Sequence, residues 1–446
     1  MTNQPTTAAT IDIQAKEITE QILASITDGQ PLERVNVRLW DGSHWPTAQP
    51  KDATIVLNRP SALKEMLLPG TEAGVGEAFI HSAFDVEGDI ESAFELGDLI
   101  IARTAGWSKK LKLGYLLLRL PDHETVHTGL LDRAAHLVGP QHSLKRDRQA
   151  IRFHYDVSNE FYRLWLDPWM IYSCAYFTRR DEDLAQAQVN KLNHICRKLG
   201  LKPGHRLLDI GCGWGGLLIH AATHFGIEGE GITLSQNQAD LAQQRIYDAG
   251  LQDRVFVRVQ DYRELKEWES YDAIVSVGMV EHVGRTKLPN YFQQAFRLLK
   301  PGGLFMSHGI GLGSVPIPDQ SGSFIRQYVF PDTDLIPISD TLGLAEQKGW
   351  EVRDVESLRE HYALTLRRWV NRLEQCHDQA LEYVEEAVYR IWRLYMAGCA
   401  HGFQHGQLSI YQSLLAKNDT DGRSRAPLNR ADWYREPIPS KLVYPS

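Results

Sequence analysis

The run Leu207-Leu-Asp209-Ile-Gly211-Cys-Gly213-Trp-Gly215-Gly216 constrains this chain more than any other. An apolar strand, Leu207 to Ile210, passes straight into four glycines and then into an apolar helical stretch, Gly215 to Phe225. Glycines at such a turn let the backbone approach a ligand closely, and the helix N-terminus lies beneath it. Strand and helix patterns alternate from there on. Gly231 to Leu234 reads as a strand, and Ser235 caps a helix carrying Ala239, Ala242, Ile246 and Ala249 on one face before Gly250 stops it. Val255–Val259 and Tyr271–Val277 are strands, Tyr291–Leu299 is an amphipathic helix ended by Pro301-Gly302-Gly303, and Leu304–Ser307 is a further strand. That alternation predicts a doubly wound α/β domain with a mostly parallel sheet. The Pro- and Ser-rich stretch 311–345 is expected to be a lid insertion. Ala380 to Tyr395 reads as a long amphipathic helix within a helical cap over about 376–415.

At 446 residues the chain is long enough for two domains. We expect the boundary near Gly139-Pro140, with an accessory domain over 1–140 and the α/β domain over 141–446. In the first part Ile13–Ile26 and Ala62–Leu68 show helical spacing, Ala53–Asn58 reads as a strand, and Glu91–Ala102 is a further apolar-periodic stretch. Trp107 to Arg119 interleaves lysines with Trp, Tyr and Leu. That segment suits an anionic lipid surface, and equally a solvated helix face packing its leucines inward. A net charge of −8 argues against nucleic acid as a partner. The five scattered cysteines, Cys174, Cys196, Cys212, Cys376 and Cys399, read as free thiols in a reducing compartment. His401 and His405 lie one helical turn apart without a third ligand, so no metal is expected. With a polar N-terminus and no apolar run near the ~20 residues that span a bilayer, the expectation is a cytoplasmic protein, at most peripheral to the inner face of the membrane.

The glycine run formally matches GxGxxG, so a dinucleotide site is the first alternative. Three features oppose it. The second strand ends in Thr233-Leu-Ser-Gln-Asn-Gln238 with no acidic residue for a ribose, and Asp209 suits a ligand bearing an ammonium group better than a pyrophosphate. Leu299-Lys-Pro-Gly-Gly303 resembles the post-motif turn of class I methyltransferases. Four further segments are more specific: His154-Tyr-Asp-Val-Ser-Asn-Glu-Phe-Tyr162, Tyr172-Ser-Cys-Ala-Tyr-Phe177, Val277-Gly-Met-Val-Glu-His-Val-Gly284 and Met306-Ser-His-Gly-Ile310. With the glycine run and Thr233–Gln238, they closely resemble the cyclopropane fatty acid synthase and mycolic acid methyltransferase family, from about Arg152 to the C-terminus. Trp40-Asp-Gly-Ser43 and Phe84-Asp-Val-Glu-Gly-Asp89 look like the accessory domain of its long bacterial members.

The resemblance implies a class I, Rossmann-like methyltransferase fold and S-adenosylmethionine as methyl donor. It would be held by Tyr172 and Ser173, by Asp209 with Gly211 and Gly213, by Thr233 and Gln238, and by Tyr262 near the adenine. It also implies a bicarbonate held by Cys174, Glu281, His308, Tyr362 and the backbone of Ile310. The acceptor would be a cis double bond in an acyl chain of a membrane phospholipid, with transient contact at the membrane surface. An alkene is a weak nucleophile, so the donor methyl must be aligned with it in a dry pocket. Attack leaves a cation that closes to a ring only when a nearby base takes a proton from the new methyl. Cys174 then lines the pocket rather than attacking, since no step needs a covalent enzyme adduct. Three alternatives stay open: a methyl- or methylene-branched product, an amine N-methyltransferase using the Glu281-His282 pair, and a catalytically silent binding protein. A homodimer is a further expectation from the long relatives.

Overall fold

The computed structural model describes residues 7–46, 49–103, 106–122, 139, 143, 146–147, 149, 157–317 and 323–434. The expected boundary at Pro140 and the motif residues His154, Tyr155 and Asp156 lie outside the described residues. The chain divides into two compact units.

The first unit combines Met1–Ala135 with two later segments, Pro318–Val329 and Glu385–His401. It is built on the helix Thr7–Thr27 and a four-stranded sheet of β1 (Val35–Arg38), β2 (His44–Trp45), β3 (Ala53–Leu57) and β4 (Phe84–Gly88), in the order β2-β1-β3-β4. Strand β3 alternates buried and half-buried residues, so one face of the sheet meets the core. Late segments join this unit rather than the α/β domain because the early chain holds them. The Tyr328 hydroxyl donates to Glu77 Oε1 (2.9 Å). Arg390, buried, donates to the carbonyls of Phe79 (2.7 Å) and Phe84 (3.0 Å). Gly76 leaves room for the Phe324 ring, which a Cβ there would meet at 2.1 Å. The accessory unit is thus discontinuous in sequence, where composition alone predicts a contiguous 1–140.

The second unit carries a seven-stranded sheet: β5 (Arg206–Ile210), β6 (Glu228–Thr233), β7 (Val255–Val259), β8 (Tyr271–Val277), β9 (Leu299–Leu312), β10 (Glu351–Ser357) and β11 (Leu408–Ala416). Their order is β10-β11-β9-β8-β5-β6-β7, with β9 through β7 parallel and β11 antiparallel to both neighbours. Successive residues of each central strand serve opposite faces. Leu207, Val275 and Met306 pack with the helices Leu184–Lys198 and Gly216–Phe225, while Leu208, Ile274 and Phe305 pack against Tyr291, Phe292 and Leu298. Burial on both faces explains the near-continuous apolar runs. The chain winds outward through β6 and β7, then reverses through β8 and β9, which opens a crevice at the carboxyl ends of β5 and β8.

Two expectations are corrected here. Strand β9 runs fourteen residues rather than the four of Leu304–Ser307, because nine of them pair with β11 across Leu304–Leu312. The expected helical cap over 376–415 instead holds a short helix His377–Ala380, the helix Glu386–Gln404, and then β11, an interior strand of the sheet. Buried on both sides, β11 shows no period-two alternation, so its apolar residues do not distinguish strand from helix.

Candidate active site

A pocket occupies the crevice, lined by the carboxyl ends of β5, β6 and β8. Its floor is the glycine turn. Gly211 adopts φ +85°, and a Cβ there would press within 2.7 Å of Met279. Gly216 opens the helix Gly216–Phe225, and a Cβ would meet Ile171 Cδ1 at 2.4 Å and the Trp169 carbonyl at 2.8 Å. The segment before Tyr172 therefore rests directly on the glycine turn. Asp167 shapes that segment by accepting the Trp169 N–H (2.8 Å) and the Ile171 N–H (3.0 Å).

Tyr172, Ser173, Asp209, Gly211, Gly213, Thr233, Gln238 and Tyr262, eight residues singled out from sequence, all line this pocket. Asp209 is buried, and burial pushes its carboxyl up to about 7, with Lys191 opposing the shift. Thr233 Oγ1 donates to Gln238 Oε1 (2.7 Å), fixing the Gln238 amide at the helix start that Ser235 caps. The Tyr262 ring stands edge-on to Tyr291 (centroids 5.3 Å). Burial raises its hydroxyl pKa to about 12, so it stays a neutral phenol.

Cys174, Glu281, His308, Ile310 and Tyr362 form a second set around this pocket rather than in its lining. Glu281 lies in the first turn of a short helix after β8, Val280–Val283, and accepts the Ile310 N–H at 2.7 Å, so that N–H is already used within the protein. Burial pushes the Glu281 carboxyl up to about 7 in spite of this bond. Its other oxygen, Oε2, is buried without a hydrogen-bond partner among the described residues. His308, on β9, has Nδ1 3.4 Å from Gln412 Nε2 on β11, and its Nε2 is likewise buried without a partner among the described residues. Burial, then the charges of Lys191 and Lys198, push the imidazole well below its usual value, so it is neutral. Cys174 Sγ lies 3.8 Å from the Leu358 carbonyl, which also accepts the Tyr362 N–H (3.0 Å). Burial pushes the thiol far up, so it is no nucleophile. The Tyr362 ring meets Trp369 (6.1 Å), which meets Tyr172 (5.2 Å), so an aromatic wall joins the two sets.

Sequence reasoning passed over three residues. Lys191, buried on the helix Leu184–Lys198, donates to Ser173 Oγ (3.0 Å), and burial lowers its ammonium to about 8 against the pull of Asp167, Cys174 and Asp209. Asp261 follows β7, caps the turn Tyr262–Glu264 and pairs with Arg263 (2.7 Å) on the pocket wall. Gln412 stands in one register row with His308 on β9 and Glu356 on β10. Only Asp261, beside Tyr262 at a strand end, leaves a trace in sequence pattern.

The sequence profile of the mycolic acid cyclopropane synthetase family matches residues 142–413. The chain belongs to this family. A probable fatty acid methyltransferase of Pseudomonas putida is 40% identical over 90% of this chain and 96% of its own. The cyclopropane-fatty-acyl-phospholipid synthase of Escherichia coli K12 is 32% identical over 83% of this chain and 89% of its own. Among solved structures, mycolic acid cyclopropane synthase CmaA1 complexed with SAH and CTAB superposes with a TM-score of 0.57 at 35% identity, covering 60% of this chain and 97% of that one. The protein is an S-adenosylmethionine-dependent methyltransferase of the class I fold. Its pocket fits that cofactor. A buried carboxylate in the pocket lining, beside a glycine turn, suits an amino-acid ammonium.

Proposed function

We propose that this enzyme transfers a methylene from S-adenosylmethionine to a cis double bond in an acyl chain of a membrane phospholipid, forming a cyclopropane ring. The observation that carries this reading is a pair of buried atoms, Glu281 Oε2 and His308 Nε2, that have no hydrogen-bond partner among the described residues. Two such atoms are costly unless a small polar ligand satisfies them. A bound bicarbonate fits their chemistry. The neutral His308 donates from Nε2–H, Glu281 accepts a hydroxyl, and the Tyr362 hydroxyl and Cys174 complete the surround.

Bound S-adenosylmethionine supplies an electrophilic methyl, and bicarbonate supplies a small base. The protein's own groups orient and exclude. Asp209 holds the amino-acid end, Tyr172 and Ser173 close over the glycine turn, Tyr262 flanks the adenine, and the wall of Trp165, Trp369 and Tyr362 keeps water from the developing cation. Held this way, the cofactor would present its methyl carbon to one alkene carbon, with the carbon–sulfur electron pair leaving on sulfur. A base held by Glu281 and His308 would take one proton from the added methyl, and the electron pair of that C–H bond would close the ring.

A second reading ends in a methyl- or methylene-branched chain, and the name of the Pseudomonas putida relative favours it. Product analysis separates the two. Protein, methyl-labelled cofactor and vesicles of cis-unsaturated phospholipid are incubated with bicarbonate, and the fatty acid methyl esters are examined by mass spectrometry and proton NMR. Upfield ring protons are expected. Vinylidene protons would establish branching instead, and label absent from lipid would overturn both.

A further inference from the structure

The helix Trp107–Leu118 divides its apolar residues between two sides. Leu116 and Leu117, with Leu120 just beyond, are buried in the first unit. Trp107, Leu111, Tyr115 and Leu118 are 82%, 70%, 63% and 65% exposed. At about 100° per residue, these four fall within an arc of roughly 80°, so they form one continuous ridge rather than scattered surface residues. Lys112 and Arg119 border the ridge on one side and Lys110 on the other, all exposed, and the Arg119 guanidinium lies 5.8 Å from the Tyr115 ring centre. From Trp107 to Arg119 the chain has four basic residues and no acidic one, although the whole protein carries −8.

We infer that this ridge is the surface by which the protein docks on an anionic lipid bilayer. Charge and shape together choose that occupant. An amphipathic helix with Trp, Tyr and Leu on its outer face and lysines along both borders matches the interface between headgroups and acyl chains, where aromatic rings partition and each lysine gains from surface charge. Folded proteins rarely leave a contiguous apolar ridge in water. The inference goes beyond the proposed reaction and stands whatever product that reaction yields.

The test uses full-length protein and vesicles of fully saturated lipid, so that no acceptor alkene is present and failure of the proposed chemistry cannot be confused with failure of docking. Sedimentation is compared between neutral phosphatidylcholine vesicles and vesicles containing phosphatidylglycerol. The wild type is expected on the anionic vesicles at low salt and in solution at high salt. The triple variant Lys109→Gln, Lys110→Gln, Lys112→Gln should partition roughly a hundredfold more weakly. Trp107→Ala with Leu111→Ala should lose binding even at low salt. Thermal melts followed by circular dichroism report that each variant is folded, and unchanged cofactor affinity is expected since none of these residues lines the pocket. Equal sedimentation of all three proteins would overturn the inference, as would no binding by the wild type. So would light scattering in which the Trp107→Ala, Leu111→Ala variant changes oligomeric mass while vesicle binding is kept, because the ridge would then be a contact between copies of the chain.

Discussion

Asp209 is a carboxylate kept ready for a cation, and its pH behaviour follows from where it sits. Burial raises its pKa from 3.8 to about 7, so the folded protein binds that proton more tightly than the unfolded chain does. Its contribution to stability is therefore complete below the unfolded value and is lost as pH rises through about 7. Cofactor binding runs the other way. Affinity should fall about tenfold per pH unit below 7 and level off above it, with proton release seen by calorimetry in two buffers. Asp209→Asn should bind roughly ten- to a hundredfold more weakly at pH 8 and lose the slope. Gln412 gives a second prediction. An amide donating to Nδ1 of a neutral His308 leaves the proton on Nε2, facing the proposed bicarbonate. Gln412→Glu should move the proton to Nδ1, cutting kcat by roughly ten- to a hundredfold with cofactor Kd unchanged. Nitrogen-15 shifts of His308 report the tautomer, and an unchanged tautomer with lost activity would count against this role. The motif residues were legible in sequence because their spacing is local. Gln412 and Lys191 were not, since a polar residue on an apolar strand or helix gains meaning only from the partner that the fold brings across to it.

At the scale of elements, two glycines hold different parts of the site, and substituting them should separate binding from turnover. Gly216→Ala drives a methyl into Ile171 and the Trp169 backbone, displacing the segment that carries Tyr172 and Ser173. Gly309→Ala, on β9, places a methyl 2.1 Å from Val280 Cγ2 and 3.6 Å from Glu281 Oε2, shifting the turn that carries Glu281. The first should weaken cofactor binding by calorimetry. The second should lower kcat while that affinity holds. Each should cost roughly 1–3 kcal/mol of stability by chemical denaturation, as overpacked positions do. If both variants lost affinity equally, the division of the site into a cofactor pocket and a reaction set would fail. Strand boundaries near these glycines were hard to read for the same reason. Pro301, Gly302 and Gly303 look like a turn, yet they lie within β9, and only pairing with β8 and β11 fixes its extent.

At the scale of the whole chain, a division near residue 140 follows from composition, but the first unit closes only with segments from 318–329 and 385–401. Contacts spanning some three hundred residues, such as Arg390 with Phe79, have no local signature. Arg390 is 5% exposed, makes two hydrogen bonds to carbonyls of the early chain, and places its guanidinium 4.1 Å from the Phe79 ring centre. A fragment of residues 1–140 lacks that arginine, Arg393 and the Phe324 ring, leaving the backbone carbonyls of Phe79, Phe84 and Val86 without those donors. Such a fragment should show no cooperative thermal transition by circular dichroism. Within the intact chain, Arg390→Met should destabilise the first unit by roughly 2–3 kcal/mol, since it strips donors from buried carbonyls. Limited proteolysis should then cut early in the chain sooner than in the wild type. A cooperatively folded 1–140 fragment would mean that the late segments decorate this unit rather than complete it.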